Sequence, residues 1–141
     1  MHAATRISTQ HPQGDRGGNL VKLGKNPVAA NLHSYWDKGA GSLIGEKAFK
    51  HKQIVKMASD IELNFSCSFS DMELNPSRWA GESHQLAVNV AYKIKSGDFP
   101  DKKYQDTAKK ITEQRVASAG CRLAALLNNI DDNLTRGWEK R

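Results

Sequence analysis

The chain has 141 residues, 38% of them hydrophobic and 26% charged, enough for one domain with a real core and too few for two. A mean hydropathy of −0.63 and the lack of any apolar run near the ~18 residues of a membrane span argue against a transmembrane helix and for a soluble, folded protein. The formal charge of +6, with a pI near 9.4, attracts polyanions such as nucleic acid by general electrostatics but singles out no site.

Residues 1–30 carry no helical period. The opening Met1-His2-Ala3-Ala4-Thr5-Arg6 lacks the apolar stretch of a signal peptide. His11 to Asn19 is loop chemistry, in which Pro12 fixes φ and Gly14, Gly17 and Gly18 permit positive φ and close backbone approach. Leu20 to Leu23 is a strand candidate that could open a short hairpin, and Gly24-Lys25-Asn26-Pro27 turns the chain.

Asn31 suits a helix N-cap, and the short helix expected over 31–38 carries His33, Trp36 and Asp37 before Lys38-Gly39-Ala40-Gly41 ends it. On a helix, His33 and Asp37 stand one turn apart on one face, where an imidazole and a carboxylate can reach one divalent ion. The same spacing also describes a solvated surface pair, the commoner case.

A second helix is expected over 46–65, with Phe49, Ile54, Met57, Ala58, Ile61 and Phe65 at helical spacing. Lys47, Lys50, Lys52 and Lys56 lie largely off that stripe, on a face that is either solvated or set against phosphates. After a loop from Asn64 to Leu74, Asn75-Pro76 places a cap before a proline at the first helical position. The helix it opens, 76–96, has Trp79, Leu86, Ala87, Val90, Ala91 and Ile94 as its apolar stripe.

The last helix is expected over 101–130, with Tyr104, Ala108, Ile111, Val116, Ala119, Leu123, Leu126, Leu127 and Ile130 buried and 131–141 a fraying polar tail. Gly120 inside it costs about 1 kcal/mol against alanine, which suggests a close helix crossing. A bridge between Cys67 and Cys121 would contribute on the order of 4 kcal/mol in an oxidising compartment. The apolar stripe around Cys121 tilts the reading toward a buried free thiol instead. The fold class is all-α: three or four helices behind a long N-terminal loop.

The order His2, Gly17-Gly18-Asn19, Asn31-Leu32-His33-x-x-Trp36-Asp37, Trp79-Ala80-x-Glu82-Ser83 and Ala119-Gly120-x-Arg122-Leu123-Ala124-x-Leu126-Leu127-Asn128 resembles the zinc-dependent single-strand nuclease and 3′-nucleotidase family, the S-one and P-one type. The resemblance covers nearly the whole chain. It implies one partial nuclease domain over 1–141, the C-terminal part of a phospholipase C / P-one nuclease type helical fold.

By that resemblance, His2, His33 and Asp37 correspond to the protein ligands of one of three zinc ions. Two imidazoles, a carboxylate and an open position are also the composition of a catalytic zinc site. Asn19 corresponds to a substrate-binding residue beside the cluster. No catalytic residue is implied beyond a metal-bound water, and Glu82 and His84 are read as helix residues without a catalytic role.

Met1-His2 lines up with the end of a family segment His-x-x-Gly-Asp-x-His-Gln-Pro-x-His. The ligands of the other two zincs are therefore expected outside this chain, and the chain alone is expected to be inactive. For the whole protein the resemblance implies hydrolysis of phosphodiesters in single-stranded DNA or RNA and of 3′-nucleotides, by a monomer in the periplasm or outside the cell, with no membrane partner. The alternatives are a basic helical module that binds nucleic acid without catalysis, a truncated product with no function, and a zinc phospholipase C relative.

Overall fold

The computed structural model describes residues 4–43, 51–68, 71 and 73–138, with side chains described up to residue 131. His2, Lys47, Phe49 and Lys50 of the readings above lie outside the described residues. Four helices follow in order: α1 (Leu32–Asp37), α2 (His51–Asn64), α3 (Pro76–Asn89) and α4 (Lys102–Trp138), with single 3-10 turns at Gly39–Gly41 and Ala91–Lys93. Among the described residues there is no strand; the one expected at Leu20 to Leu23 amounts to an isolated antiparallel bridge between Lys22 and Asn31. The all-α class holds.

The chain divides into two compact units, residues 1–49 with 76–112 and residues 50–75 with 113–141. In the first, Ala4, Leu23, Leu32, Tyr35, Ala40, Ala87, Tyr92, Ile94 and Ala108 form the core. Helix α1 opens as its sequence suggests: the Asn31 side chain accepts from Ser34 N at 2.8 Å. Leu32 and Tyr35, three residues apart, then face inward and are buried completely. The helix stops where Gly39, Ala40 and Gly41 turn left-handed, at φ of 58°, 52° and 94°.

Helix α3 ends at Asn89, short of the expected 96. The physical reason lies in the residues that follow: Ala91, Tyr92 and Ile94 are all buried, and one stripe of a continuous helix could not turn all three inward. A break at Val90 and a 3-10 turn do so instead. The loop 22–24 lies along 97–99, with Gly97 N donating to Lys22 O at 2.9 Å and Gly24 N to Asp98 O at 2.8 Å. A Cβ on Gly24 would stand 3.0 Å from Gly97 O and 3.1 Å from Phe99 N, so a side chain there would make the facing backbone give by a few tenths of an ångström.

In the second unit, α2 buries no residue fully; Met57, Ile61 and Phe65 are half-buried, while Ile54, Val55 and Leu63 are exposed. The buried face expected for this part of α4 is not the observed one. Val116, Leu123, Leu126, Leu127 and Ile130 are exposed, and Ser118, Cys121 and Arg122 are buried in their place. The reason is a polar and covalent anchor. Cys67 and Cys121 form a disulfide, which corrects the free-thiol reading, and Ser118 donates to the carboxylate of Asp71 beside it. Gly120 marks no crossing among the described residues, since nothing lies within 4 Å of where its Cβ would be. The expected tail does not begin at 131, because α4 continues to Trp138.

Two outcomes follow for this unit. Replacing both Cys67 and Cys121 by serine should lower its stability by up to about 4 kcal/mol, the chain-entropy value for a loop closed over 54 residues. The measurement is the denaturant midpoint with and without the bridge, and an unchanged midpoint would show that other contacts hold the loop. Hydrogen bonds from Ser118 and Ser68, with the charge of Arg122 adding, hold the Asp71 carboxyl at about 2. Its folded value lies below the ordinary carboxylate value of 3.8, so its stabilisation is complete above that pH and is lost as pH falls toward 2. Asp71→Asn should therefore flatten acid unfolding in that window, followed by circular dichroism.

Candidate metal centre

Helix α1 brings His33 and Asp37 together as their spacing requires, with His33 Nε2 3.2 Å from Asp37 Oδ2. The other imidazole nitrogen, Nδ1, lies 2.9 Å from the Gly17 carbonyl oxygen. A carbonyl offers no proton, so Nδ1 is the donor and the Nε2 lone pair is left pointing at the carboxylate. Two lone pairs at that distance need a cation between them or a proton on Nε2.

The donor set fits a metal. Zinc–nitrogen and zinc–oxygen bonds of ~2.1 Å at a tetrahedral angle put two ligand atoms roughly 3.4 Å apart, within a few tenths of an ångström of the separation seen. The imidazole is 15% exposed and the carboxylate 46%, so the pair is held on the protein side and open on the other. His2, the third expected ligand, lies outside the described residues. Among the described residues, no group of three or more His, Cys, Asp or Glu side chains is placed to hold a metal ion.

The Gly17-Gly18-Asn19 turn is in contact with this pair. Besides the Gly17 carbonyl, the Gly18 carbonyl accepts from the His33 backbone N–H at 3.3 Å. Asn19 therefore sits next to the peptide that carries His33, and its Nδ2 donates to Arg16 O at 2.9 Å within the same loop. Glu82 and His84 lie on α3.

One residue escaped the sequence reading. Asp15, 1% exposed, supports the loop from inside. Its Oδ1 accepts from Thr5 Oγ1 at 3.0 Å, Arg6 N at 3.0 Å, Gly18 N at 3.1 Å and Tyr92 OH at 2.9 Å. Burial pushes this carboxyl up, but the bonds from Arg6, Gly18, Tyr92 and Thr5 outweigh it and hold it below its ordinary value. Tyr92 is pushed well above the usual phenol range by burial and by the carboxylate it bonds. The signal in the sequence was an aspartate two residues ahead of a glycine pair, and it reads equally well as an ordinary turn.

The other side of α1 is fixed by Trp36, whose Nε1 donates to Tyr104 OH at 2.9 Å; that hydroxyl donates in turn to Ala91 O at 2.7 Å. The Trp36 and Tyr104 rings meet edge to face, with centroids 6.2 Å apart.

A family model described as S1/P1 Nuclease matches residues 1–132. Endonuclease 1 of Arabidopsis thaliana is 30% identical over 137 residues, which covers 87% of this chain and 45% of the relative. Endonuclease 4 of the same plant is 32% identical over 132 residues, covering 83% and 43%. Endonuclease 2 is 29% identical over 127 residues, covering 82% and 43%. The chain thus spans less than half the length of these curated relatives.

Removing the Tyr104 hydroxyl tests how α1 is held. Tyr104→Phe leaves the Trp36 Nε1–H and the Ala91 carbonyl without their partner, which should cost about 1–3 kcal/mol. Trp36 fluorescence should also shift toward the red as its environment loosens. A stability unchanged within 0.5 kcal/mol would show that packing alone seats the helix.

Proposed function

Because this chain belongs to the S1/P1 nuclease family, we propose that it is part of a zinc-dependent endonuclease acting on single-stranded DNA and RNA and on 3′-nucleotides. The observation that carries the metal part is His33, its Nδ1 committed to the Gly17 carbonyl and its Nε2 turned toward Asp37. In this reading His33 and Asp37, with His2, hold one zinc.

When bound, that ion supplies positive charge beside the phosphate oxygens and the leaving 3′-oxygen. The chain's own residues do the positioning. The Gly17 carbonyl fixes the ring that binds, and Asn19 on the same turn meets the nucleotide. The excess of basic residues, a net +6, draws in a polyanion. The ligands of the family's other two zincs are read as lying outside these 141 residues, and the chain alone is then inactive.

The Cys67–Cys121 bridge supports an oxidising compartment, the periplasm or the exterior of the cell, for the whole protein. Among the described residues, no helix is long and apolar enough to cross a membrane. The working unit in this reading is a monomer.

Zinc-supplemented hydrolysis of single-stranded DNA and of a 3′-nucleotide tests the proposal. The 141-residue chain should give no turnover. In the full-length protein, His33→Ala and Asp37→Asn should each cost more than the ~10- to 100-fold that follows loss of an outer partner of a metal ligand. Turnover by the chain alone, abolished by His33→Ala, would overturn the inactivity. Salt-sensitive binding of single-stranded DNA that survives both chelation and Asp37→Asn, with no cleavage by the full-length protein, would favour the non-catalytic module.

A further inference from the structure

We propose that Asp15 is a positioning residue for His33, acting through the single peptide plane that joins Gly17 to Gly18. The proposal rests on the reading of His33 as a metal ligand. The Gly17 carbonyl and the Gly18 N–H belong to the same planar, trans amide, and its two ends are engaged on opposite sides. The N–H donates to Asp15 Oδ1 at 3.1 Å, and the carbonyl accepts from His33 Nδ1 at 2.9 Å.

A carboxylate on one end of an amide polarises it and makes the carbonyl at the other end a stronger acceptor. The imidazole is thereby kept with its proton on Nδ1 and its lone pair on Nε2. Metal-binding histidines are commonly steadied by a carboxylate bonded to the second ring nitrogen. Here a peptide stands between the two.

The turn does not hold this shape by itself. Arg16, Gly17 and Gly18 are three successive left-handed residues, at φ of 55°, 63° and 88°, and for Arg16 that backbone is unfavourable. The Asp15 Oδ1–Gly18 bond spans this strained stretch and is buried from competing water. The carboxylate is itself fixed from three other directions by Thr5, Arg6 and Tyr92. A small error in its position would therefore move the peptide, and the peptide would move the ring.

The decisive variant is Asp15→Asn, which keeps the volume and one acceptor oxygen but removes the charge. Among the described residues, Asp15 Oδ2 has no hydrogen-bond partner, so the new amide nitrogen would meet no acceptor there. Two readouts are taken on the 141-residue chain. The first is the His33 tautomer by two-bond nitrogen–proton correlation, with the ring neutral, no metal present and Asp37→Ala introduced into each chain compared, because the Asp37 carboxylate would otherwise draw the proton to Nε2. The second is Co²⁺ affinity from its visible absorption.

With Asp15 intact and the Asp37 carboxylate removed, the ring should show Nδ1–H. Asp15→Asn should mix in the Nε2–H form and weaken Co²⁺ about 10-fold. Tyr92→Phe removes another donor from the same oxygen without touching Gly18; it should lower the thermal midpoint and leave the tautomer unchanged. The proposal is overturned if Asp15→Asn keeps the wild-type tautomer, or if Tyr92→Phe shifts it as much. Should Asp15→Asn fail to fold, the Asp37→Ala chain with Asp15 intact decides. An Nε2–H ring, or a Gly18 amide exchanging as fast as an exposed one, overturns it; an Nδ1–H ring with a protected Gly18 amide upholds it. The tautomer is read without metal or substrate, so it stands apart from the nuclease reading, which the cleavage assay tests.

Discussion

A loop of nearly thirty residues with almost no regular secondary structure must find partners for its backbone polar groups elsewhere, because a buried amide left unpaired costs as much as a lost hydrogen bond. Side chains meet that need here. Asp15 takes two backbone N–H groups, and Asn26 bonds the carbonyls of Gly24 and Ala29 and the N–H groups of Val28 and Ala29. The Arg6 guanidinium reaches the Tyr92 carbonyl at 2.8 Å and lies over the Tyr92 ring, 4.6 Å from its centroid. The loop is fixed by polar chemistry, and the short helix that follows is built against it.

That order of dependence matters because α1 has only six residues. A helix of this length does not persist alone in water, where even good sequences need roughly 12 to 15 residues. The spacing that sets His33 beside Asp37 is therefore a tertiary product. Asn31 caps the first turn, Leu32 and Tyr35 are sealed in the core, and Trp36 is tied to the Tyr104 hydroxyl. The pair is as well placed as those contacts make it.

What the sequence made legible follows from the range of each interaction. Helix α1, its cap, its left-handed end and the His33–Asp37 pair are each signalled by residues within a few positions, and all were readable although distant packing holds them. The strand at Leu20 to Leu23 was not: its apolar residues fit one, but among the described residues it makes a single isolated bridge, Lys22 with Asn31. Asp15 was missed because the donors that enclose it are spread along the chain, from Thr5 and Arg6 to Tyr92, 77 residues away. The inward face of α4 was read correctly at Tyr104 and Ala108 but misread beyond residue 113, because periodicity expects apolar residues to be buried. A disulfide and an aspartate turn Ser118, Cys121 and Arg122 inward instead. The family was readable for a different reason, since the resemblance rested on the order of several short motifs and not on any one contact.

The placement of Asp15 also has an electrostatic logic. A carboxylate bonded directly to His33 Nδ1 would steady the ring, but it would put a second negative charge beside Asp37. On the metal reading proposed above, one carboxylate and neutral imidazoles would leave a divalent ion a net positive charge for an anionic phosphate ester, and a second carboxylate in contact would cancel it. Interposing the 17–18 peptide keeps the orienting effect while moving the charge one amide away, into a pocket where four donors already neutralise it. The glycines are what make the arrangement possible. The peptide can face the carboxylate with one end and the imidazole with the other only if the chain passes through left-handed conformations, which Gly17 and Gly18 adopt without strain. On the metal reading proposed above, Gly17-Gly18 would thus be the element that lets Asp15 orient His33 without adding a charge beside Asp37.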